Sequence, residues 1–172
     1  MQLEKKENKR LKEWLEAVVV AVVVSIIMYY LCWPVRIQGS SMESTVFQDD
    51  RVFISRVAVH VLPLGRGAIV VCDQDRTDER SIIKRVIGLP GDHVVISESI
   101  VYVNGEAIDE PYARTTTAGN FDLVVPEGEY FVLGDNRHIS LDSRYFGTIK
   151  KSEIIGAAFM RFYPFTQIKI LH

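Results

Sequence analysis

The stretch AVVVAVVVSIIMYYLCWPV, residues 17 to 35, carries no charged side chain and constrains this chain more than any other feature. Coiled as a helix at about 1.5 Å per residue, it reaches roughly 28 Å, close to the roughly 30 Å hydrocarbon core of a bilayer. A helix apolar on every side does not suit the surface of a soluble domain, which needs a polar face. Tyr29, Tyr30 and Trp33 gather at its exit, where a membrane boundary favours aromatic rings. A cleavable secretory leader would close on small residues, whereas this run closes on Tyr29, Tyr30, Leu31, Cys32 and Trp33. The reading is a retained transmembrane anchor over residues 17–35.

Lys5, Lys6, Lys9, Arg10 and Lys12 precede the span, and after it Arg36 is the only basic residue before Arg51. The excess of positive charge on one side predicts a cytoplasmic N-terminus (1–16), a single pass through the cell membrane, and an extracytoplasmic domain over 36–172. Glu4, Glu7, Glu13 and Glu16 dilute that excess. A net charge of -2 over 172 residues speaks against a nucleic-acid partner, which requires a basic face. The cysteines, Cys32 and Cys72, offer no disulfide framework, and nothing in the sequence sets an oligomeric state.

The outer unit reads as mainly β. RVFISRVAVHV (51–61), GAIVV (67–71), SIIKRVI (81–87), HVVIS (93–97) and IVYVNGEAI (100–108) are rich in β-branched residues, with Gly, Pro or Asp in the gaps. Asn104-Gly105 marks a hairpin, and Leu89-Pro90-Gly91-Asp92 has the proline and glycine of a type II turn. The predicted architecture is a small antiparallel sandwich or barrel with no helix beyond the anchor.

Within the strand 81–87, Lys84 shares a face with Ile82 and Val86, and Arg85 shares the other with Ile83 and Ile87. Both faces are apolar. Arg85 cannot give up its charge and therefore predicts a carboxylate from elsewhere in the chain. Lys84 has two options. Its stem can cover apolar surface with the ammonium in water, the simpler reading of this segment alone. Alternatively, burial can disfavour the charged form; a fall of about three from a pKa near 10.4 costs on the order of 4 kcal/mol and is rarely carried without a purpose.

A possible partner lies just beyond the span, where Gly39-Ser40-Ser41-Met42 interrupts a strand-like passage. A neutral amine beside a serine hydroxyl can take its proton, which allows acyl transfer without histidine, and a neighbouring glycine lets backbone N–H groups approach an oxyanion. A third segment, YFVLGDNRHISLDSRYFGTI (130–149), packs Asp135, Asn136, Arg137, Ser140, Asp142, Ser143 and Arg144 between apolar ends. These groups could pair with Arg85 or orient Lys84, or form a solvated loop.

Taken together, the anchor, GSSM at 39–42, IKRVIGLPGD at 83–92 and GDNRHISLDSRYFG at 134–147 resemble the bacterial type I signal peptidases, membrane-anchored serine proteases that remove signal peptides from exported proteins. The resemblance covers nearly the whole chain. It implies Ser41 as nucleophile and Lys84 as general base, with no metal or cofactor. Ser140 would hydrogen-bond the lysine amine, and Ser41 and Gly39 would supply the oxyanion hole. Arg85 would pair with Asp135 and Asp142 with Arg144. The substrate end of a signal peptide would lie as an added strand beside residues 35–39 and 81–84, with Ile37, Met42, Ile82 and Ile83 as walls of pockets for small residues. The sequence departs from the family at Ser44, where proline is usual three positions after the nucleophile, and at Ala68, where aspartate is common.

Other chemistries fit less well. Ser81-Ile-Ile-Lys84 has the spacing of S-x-x-K, but that motif needs a helix, and positions three apart in a strand face opposite sides. A Ser41-His138-Asp142 triad is conceivable, and the scattered histidines lack ligand spacing for zinc. Self-cleaving repressors also use a serine and a lysine, but Ala118-Gly119 here follows the lysine instead of preceding the serine. A catalytically impaired, membrane-anchored binding protein of the same fold is the remaining alternative.

Overall fold

The computed structural model describes residues 2–73 and 81–171, with side chains from residue 9 onward; Lys5 and Lys6 fall outside the described side chains. Its first element is α1 (Gln2–Leu31). Lys9–Leu31 of this helix is long and apolar enough to cross a membrane, and its spanning window is 0% buried by the rest of the chain. The helix ends before the apolar run does, because proline disfavours a helical conformation in the residue before it. Trp33–Arg36, which includes Pro34, forms strand β1 instead. The helical part of the expected 17–35 run therefore stops at Leu31, and residues 33–35 belong to β1.

The remaining elements are β2 (Arg51–Ser55), α2 (Arg56–Val61), β3 (Ile69–Asp73), β4 (Ser81–Gly88), β5 (His93–Ser97), β6 (Ile100–Val103), β7 (Glu106–Ala107), β8 (Phe121–Val124), β9 (Glu129–Leu133), α3 (Ser143–Phe146), β10 (Ile149–Lys150), β11 (Ile154–Tyr163) and β12 (Lys169–Ile170). One sheet runs β1-β2-β11-β3-β4-β9-β10, with β12 beside β11, and a second runs β7-β6-β5-β8. Every strand pair among the described residues is antiparallel, in keeping with the alternating patterns.

Three apolar clusters hold these sheets together. Ile37, Met42, Val46, Val52, Ile54, Ile69, Val71 and Ile83 form one. Val59, Val70, Cys72, Ile82, Val86 and Val132 form another. Ile87, Phe131 and Leu133 of the large sheet join Val94, Ile96, Val101 and Val103 of the small one in the third. Each fully buried aliphatic side chain contributes about 1.5–3 kcal/mol, so alternation along β4 ties both of its faces into the core.

The structure corrects three expectations. The passage 51–61 is not one strand: Ser55 accepts a hydrogen bond from the Ala58 amide at 3.2 Å and caps α2, so the cap overrides the β-branched preference of the residues after it. Helix α3 likewise lies within the polar segment 130–149. Strand β11, central between β2 and β3, was not anticipated, because Gly156-Ala157-Ala158 weakens its pattern. The glycine is required there, since a Cβ at 156 would stand 2.9 Å from Ile54 Cδ1. The turn readings agree with the backbone: Asn104 and Gly105 have φ 54° and 84°, and the Asp92 amide donates to the Leu89 carbonyl at 3.0 Å.

Candidate active site

Strand β4 places Lys84 at the end of a half-open edge. The Gly67 amide donates to the Val86 carbonyl and the Val86 amide to the Ala68 carbonyl, both at 2.8 Å. Peptide groups alternate in direction along a strand, so those of residues 83 and 85 point away from β3, toward β9. Strand β9 pairs with β4 only at Arg85–Gly88, which leaves residues 81–84 without a strand on that side among the described residues. The Lys84 side chain is 3% exposed. Its Nζ donates to the Ile83 carbonyl at 3.2 Å and to Ser41 Oγ at 2.9 Å.

Ser41 reaches this position on a tight turn. Gly39 has φ 83° with nothing within 4 Å of where a Cβ would be, so backbone conformation is what calls for glycine there. The Thr45 and Val46 amides donate to the Met42 carbonyl at 3.0 and 3.1 Å. The Asn136 amide donates to the Ser41 carbonyl at 2.9 Å, and Asn136 Nδ2 to the Ser40 carbonyl at 3.3 Å. Residues just after β9 therefore hold the serine turn in place. Ser44 lies at φ 131°, a conformation closed to proline, whose φ is fixed near -65°. Its hydroxyl donates to the Tyr112 carbonyl at 2.5 Å, so a hydrogen bond ties this turn to the chain at Tyr112.

The charged residues around the pair are themselves paired. Arg85 donates from Nε to Asp135 Oδ1 at 2.9 Å and from Nη2 to Oδ2 at 2.8 Å, and from Nη1 to the Gly67 carbonyl at 2.8 Å. Thr45 Oγ1 donates to Asp135 at 2.5 Å, and the Tyr112 ring lies 4.0 Å from the guanidinium. Asp142 takes Arg144 Nε at 2.8 Å and Nη2 at 2.9 Å, and accepts the Gly134 amide at 3.1 Å. These bidentate contacts fix orientation as well as charge.

Not every expected residue converges on the amine. Ser140 is buried, but its hydroxyl has no hydrogen-bond partner among the described residues, so the expected bond to Lys84 is not seen. The hydroxyl lies instead against Gly134, where a Cβ would collide with Ser140 and with the Ser41 carbonyl. Ile37, Met42 and Ile83 share one cluster beneath the serine turn. Ile82 packs in the cluster on the opposite face, since neighbouring strand residues point to opposite sides. His138 is exposed, and Asp142 is engaged by Arg144 and Gly134, so the triad does not assemble.

Sequence reasoning assigned no role to Thr45, Glu110, Tyr112, Thr117 or Arg137. Arg137 is fully buried and donates to the Gly134 carbonyl at 2.9 Å, to Glu110 at 2.5 and 3.0 Å, and to Thr117. Its place in the polar run was a signal, but its side-chain partners Glu110 and Thr117 lie 27 and 20 residues upstream, and no local pattern links them. Cys72, on β3 beside Lys84's strand and opposite Ile82, has its thiol pushed up to about 12, chiefly by burial; the Lys84 charge opposes this and the Glu153 charge adds to it. It is a core residue, not a nucleophile.

Comparison with known proteins gives a consistent pattern. The family described as signal peptidase, peptidase S26, matches residues 11–163. The chain is 37% identical to a signal peptidase I of Bacillus licheniformis, covering 96% of this chain and 97% of that one. It is 35% identical to signal peptidase IB of Staphylococcus aureus, with 94% of each covered. A crystal structure of a signal peptidase I from Enterococcus faecalis superposes with a TM-score of 0.50 at 35% identity, over 55% of this chain and 95% of that chain.

Proposed function

Since the chain belongs to the signal peptidase family, peptidase S26, we propose that it cleaves signal peptides from exported preproteins after small residues, with Ser41 as nucleophile and Lys84 as general base. The observation that carries this reading is the 2.9 Å contact between a buried lysine amine and the serine hydroxyl. Burial disfavours the ammonium and so favours the amine as proton acceptor.

In the first step, Ser41 Oγ attacks the carbonyl carbon of the scissile peptide bond while its proton passes to Lys84 Nζ. The oxyanion forms near the Ser41 amide and the main chain at Gly39. Collapse breaks the C–N bond, and the Lys84 ammonium returns its proton to the leaving amine. Water, deprotonated by Lys84, then hydrolyses the acyl ester. The edge of β4 at 81–84, which carries no strand on the side toward β9 among the described residues, and the outer side of β1 are where an extended substrate adds as a strand. Ile37, Met42 and Ile83 floor the pockets that admit small residues, and Ile82 supports the strand from behind. Arg85–Asp135 and Asp142–Arg144 hold the site rigid, and Ser140, buried beside Gly134 and the Ser41 carbonyl, is assigned the orienting of the amine.

Helix α1 anchors the enzyme in the membrane, with the N-terminus cytoplasmic and the catalytic domain on the outer face; the basic flank at Lys9, Arg10 and Lys12 supports that orientation. The full-length enzyme incubated with a preprotein tests the assignment. Ser41→Ala and Lys84→Ala abolish cleavage, and His138→Ala retains it. Full activity of Lys84→Ala would remove the base, and loss confined to His138→Ala would restore the triad. A wild type that binds but never cleaves would favour the impaired binding protein, against which the assembled Ser41–Lys84 contact now argues.

A further inference from the structure

The segment Glu110–Thr117 leaves the small sheet between β7 and β8 and crosses to the catalytic pair in the large one. It touches the site at several points. The Tyr112 carbonyl accepts Ser44 Oγ at 2.5 Å. Arg114 pairs with Glu43 at 2.6 Å, and its amide donates to the Asp135 carbonyl at 2.8 Å. The Tyr112 ring lies flat enough over Arg85 for its centroid to sit 4.0 Å from the guanidinium carbon. Glu110 and Thr117 bracket the segment by holding the buried Arg137, which in turn donates to the Gly134 carbonyl.

We propose that this segment is a positioning strap, and that Tyr112 is its central residue: the ring covers the Arg85 guanidinium, itself paired with Asp135, while the main chain at the same residue holds the serine turn, so that Ser41 and Lys84 stay within proton-transfer reach. Glu43 and Ser44 lie two and three residues beyond Ser41, and Arg85 follows Lys84 directly in the strand. A single element thus grips both sides of the dyad. Proton transfer needs the two heavy atoms at hydrogen-bond distance, and displacement on the order of 1 Å can cost about a hundredfold in rate. The strap also explains how the turn tolerates φ 131° at Ser44: the hydroxyl is held in that position by a main-chain acceptor.

The inference rests on Ser41 and Lys84 being the reacting pair, and the experiment separates the two claims. Preprotein cleavage by full-length Tyr112→Phe, Tyr112→Ala, and the double variant Ser44→Ala with Arg114→Gln is measured as kcat and KM, beside Ser41→Ala. Tyr112→Phe keeps the ring and stays within about twofold of wild type. Tyr112→Ala loses about tenfold in kcat with KM within about twofold, as expected for lost orientation rather than lost binding. If Tyr112→Ala does not fold, the double variant, altered at one exposed position of the serine turn and one of the strap, decides: its kcat falls about fivefold, a factor matching the lost Ser44 hydrogen bond, with the exposed ion pair adding little. An unchanged kcat in the folded variants overturns the proposal. So does a loss appearing in KM alone, or a Tyr112→Phe as impaired as Tyr112→Ala. Activity in Ser41→Ala would instead sink the assignment of the nucleophile, whatever the strap variants do.

Discussion

Replacing Asp135 by asparagine isolates the electrostatic support beneath the lysine. The carboxylate is fully buried and accepts Arg85 Nε at 2.9 Å, Arg85 Nη2 at 2.8 Å and Thr45 Oγ1 at 2.5 Å. Asparagine has nearly the same volume, so no cavity opens. What changes is charge, together with one acceptor that becomes a donor facing other donors. Arg85 cannot deprotonate in response, and a buried ion left without its counter-charge costs about 3–5 kcal/mol. The Gly67 carbonyl and the Tyr112 ring still meet the guanidinium, which puts the expected loss near the lower end, about 3 kcal/mol. Set against a total stability of about 5–15 kcal/mol, the variant remains folded at ambient temperature. At about 3–4 °C per kcal/mol for a domain of this size, Tm falls by about 10 °C. Thermal unfolding of the full chain in detergent micelles measures this. A fall below about 3 °C would show that the pair carries little of the site's rigidity.

Three further outcomes follow from the same contacts. Gly134→Ala drives a methyl into the Ser140 side chain and the Ser41 carbonyl; kcat/KM for preprotein cleavage drops by about a hundredfold or more, and wild-type turnover would contradict the packing. Ser140→Ala removes a buried hydroxyl that has no hydrogen-bond partner, so urea unfolding shows unchanged stability or a gain of about 1 kcal/mol, whereas an orienting role in turnover requires kcat to fall about tenfold. The folded Cys72 value lies above its ordinary 9.0, near 12, so stability owed to the neutral thiol is whole below pH 9 and is lost as pH climbs toward 12. Denaturation between those limits should depend less on pH in Cys72→Ala, and an unaltered slope would show that Tyr112, raised chiefly by burial, governs that range instead.

The anchor and the β character were legible because each has a local signature, an uncharged run and alternation at period two; the Ser41–Lys84 pairing was legible only through the resemblance carried by three separate motifs, since the segment around Lys84 alone favours an ammonium reaching water. Helix α2 was hidden because one capping hydroxyl, Ser55, decides it against the propensity of the residues that follow. Strand β11 was hidden because its glycine and alanines answer to the bulk of Ile54 on the neighbouring strand, which no local window contains. Arg85's need for a carboxylate could be argued from valence, whereas Tyr112, Glu110 and Thr117 reach the site only by a crossing between sheets. Ser140 shows the converse limit. A motif can name a residue without fixing its rotamer, and the absence of a side chain at Gly134 lets the hydroxyl lie against residue 134.

The central claim is that Ser41 becomes acylated while Lys84 removes its proton. Its most direct measurement is intact-protein and peptide mass spectrometry of the full-length enzyme quenched during turnover of a slowly deacylated peptide ester, in wild type and Lys84→Ala. The account requires an acyl adduct on the peptide that contains Ser41 in wild type and none in Lys84→Ala at neutral pH. An adduct on another residue, or acylation of Lys84→Ala at the wild-type rate, would contradict it.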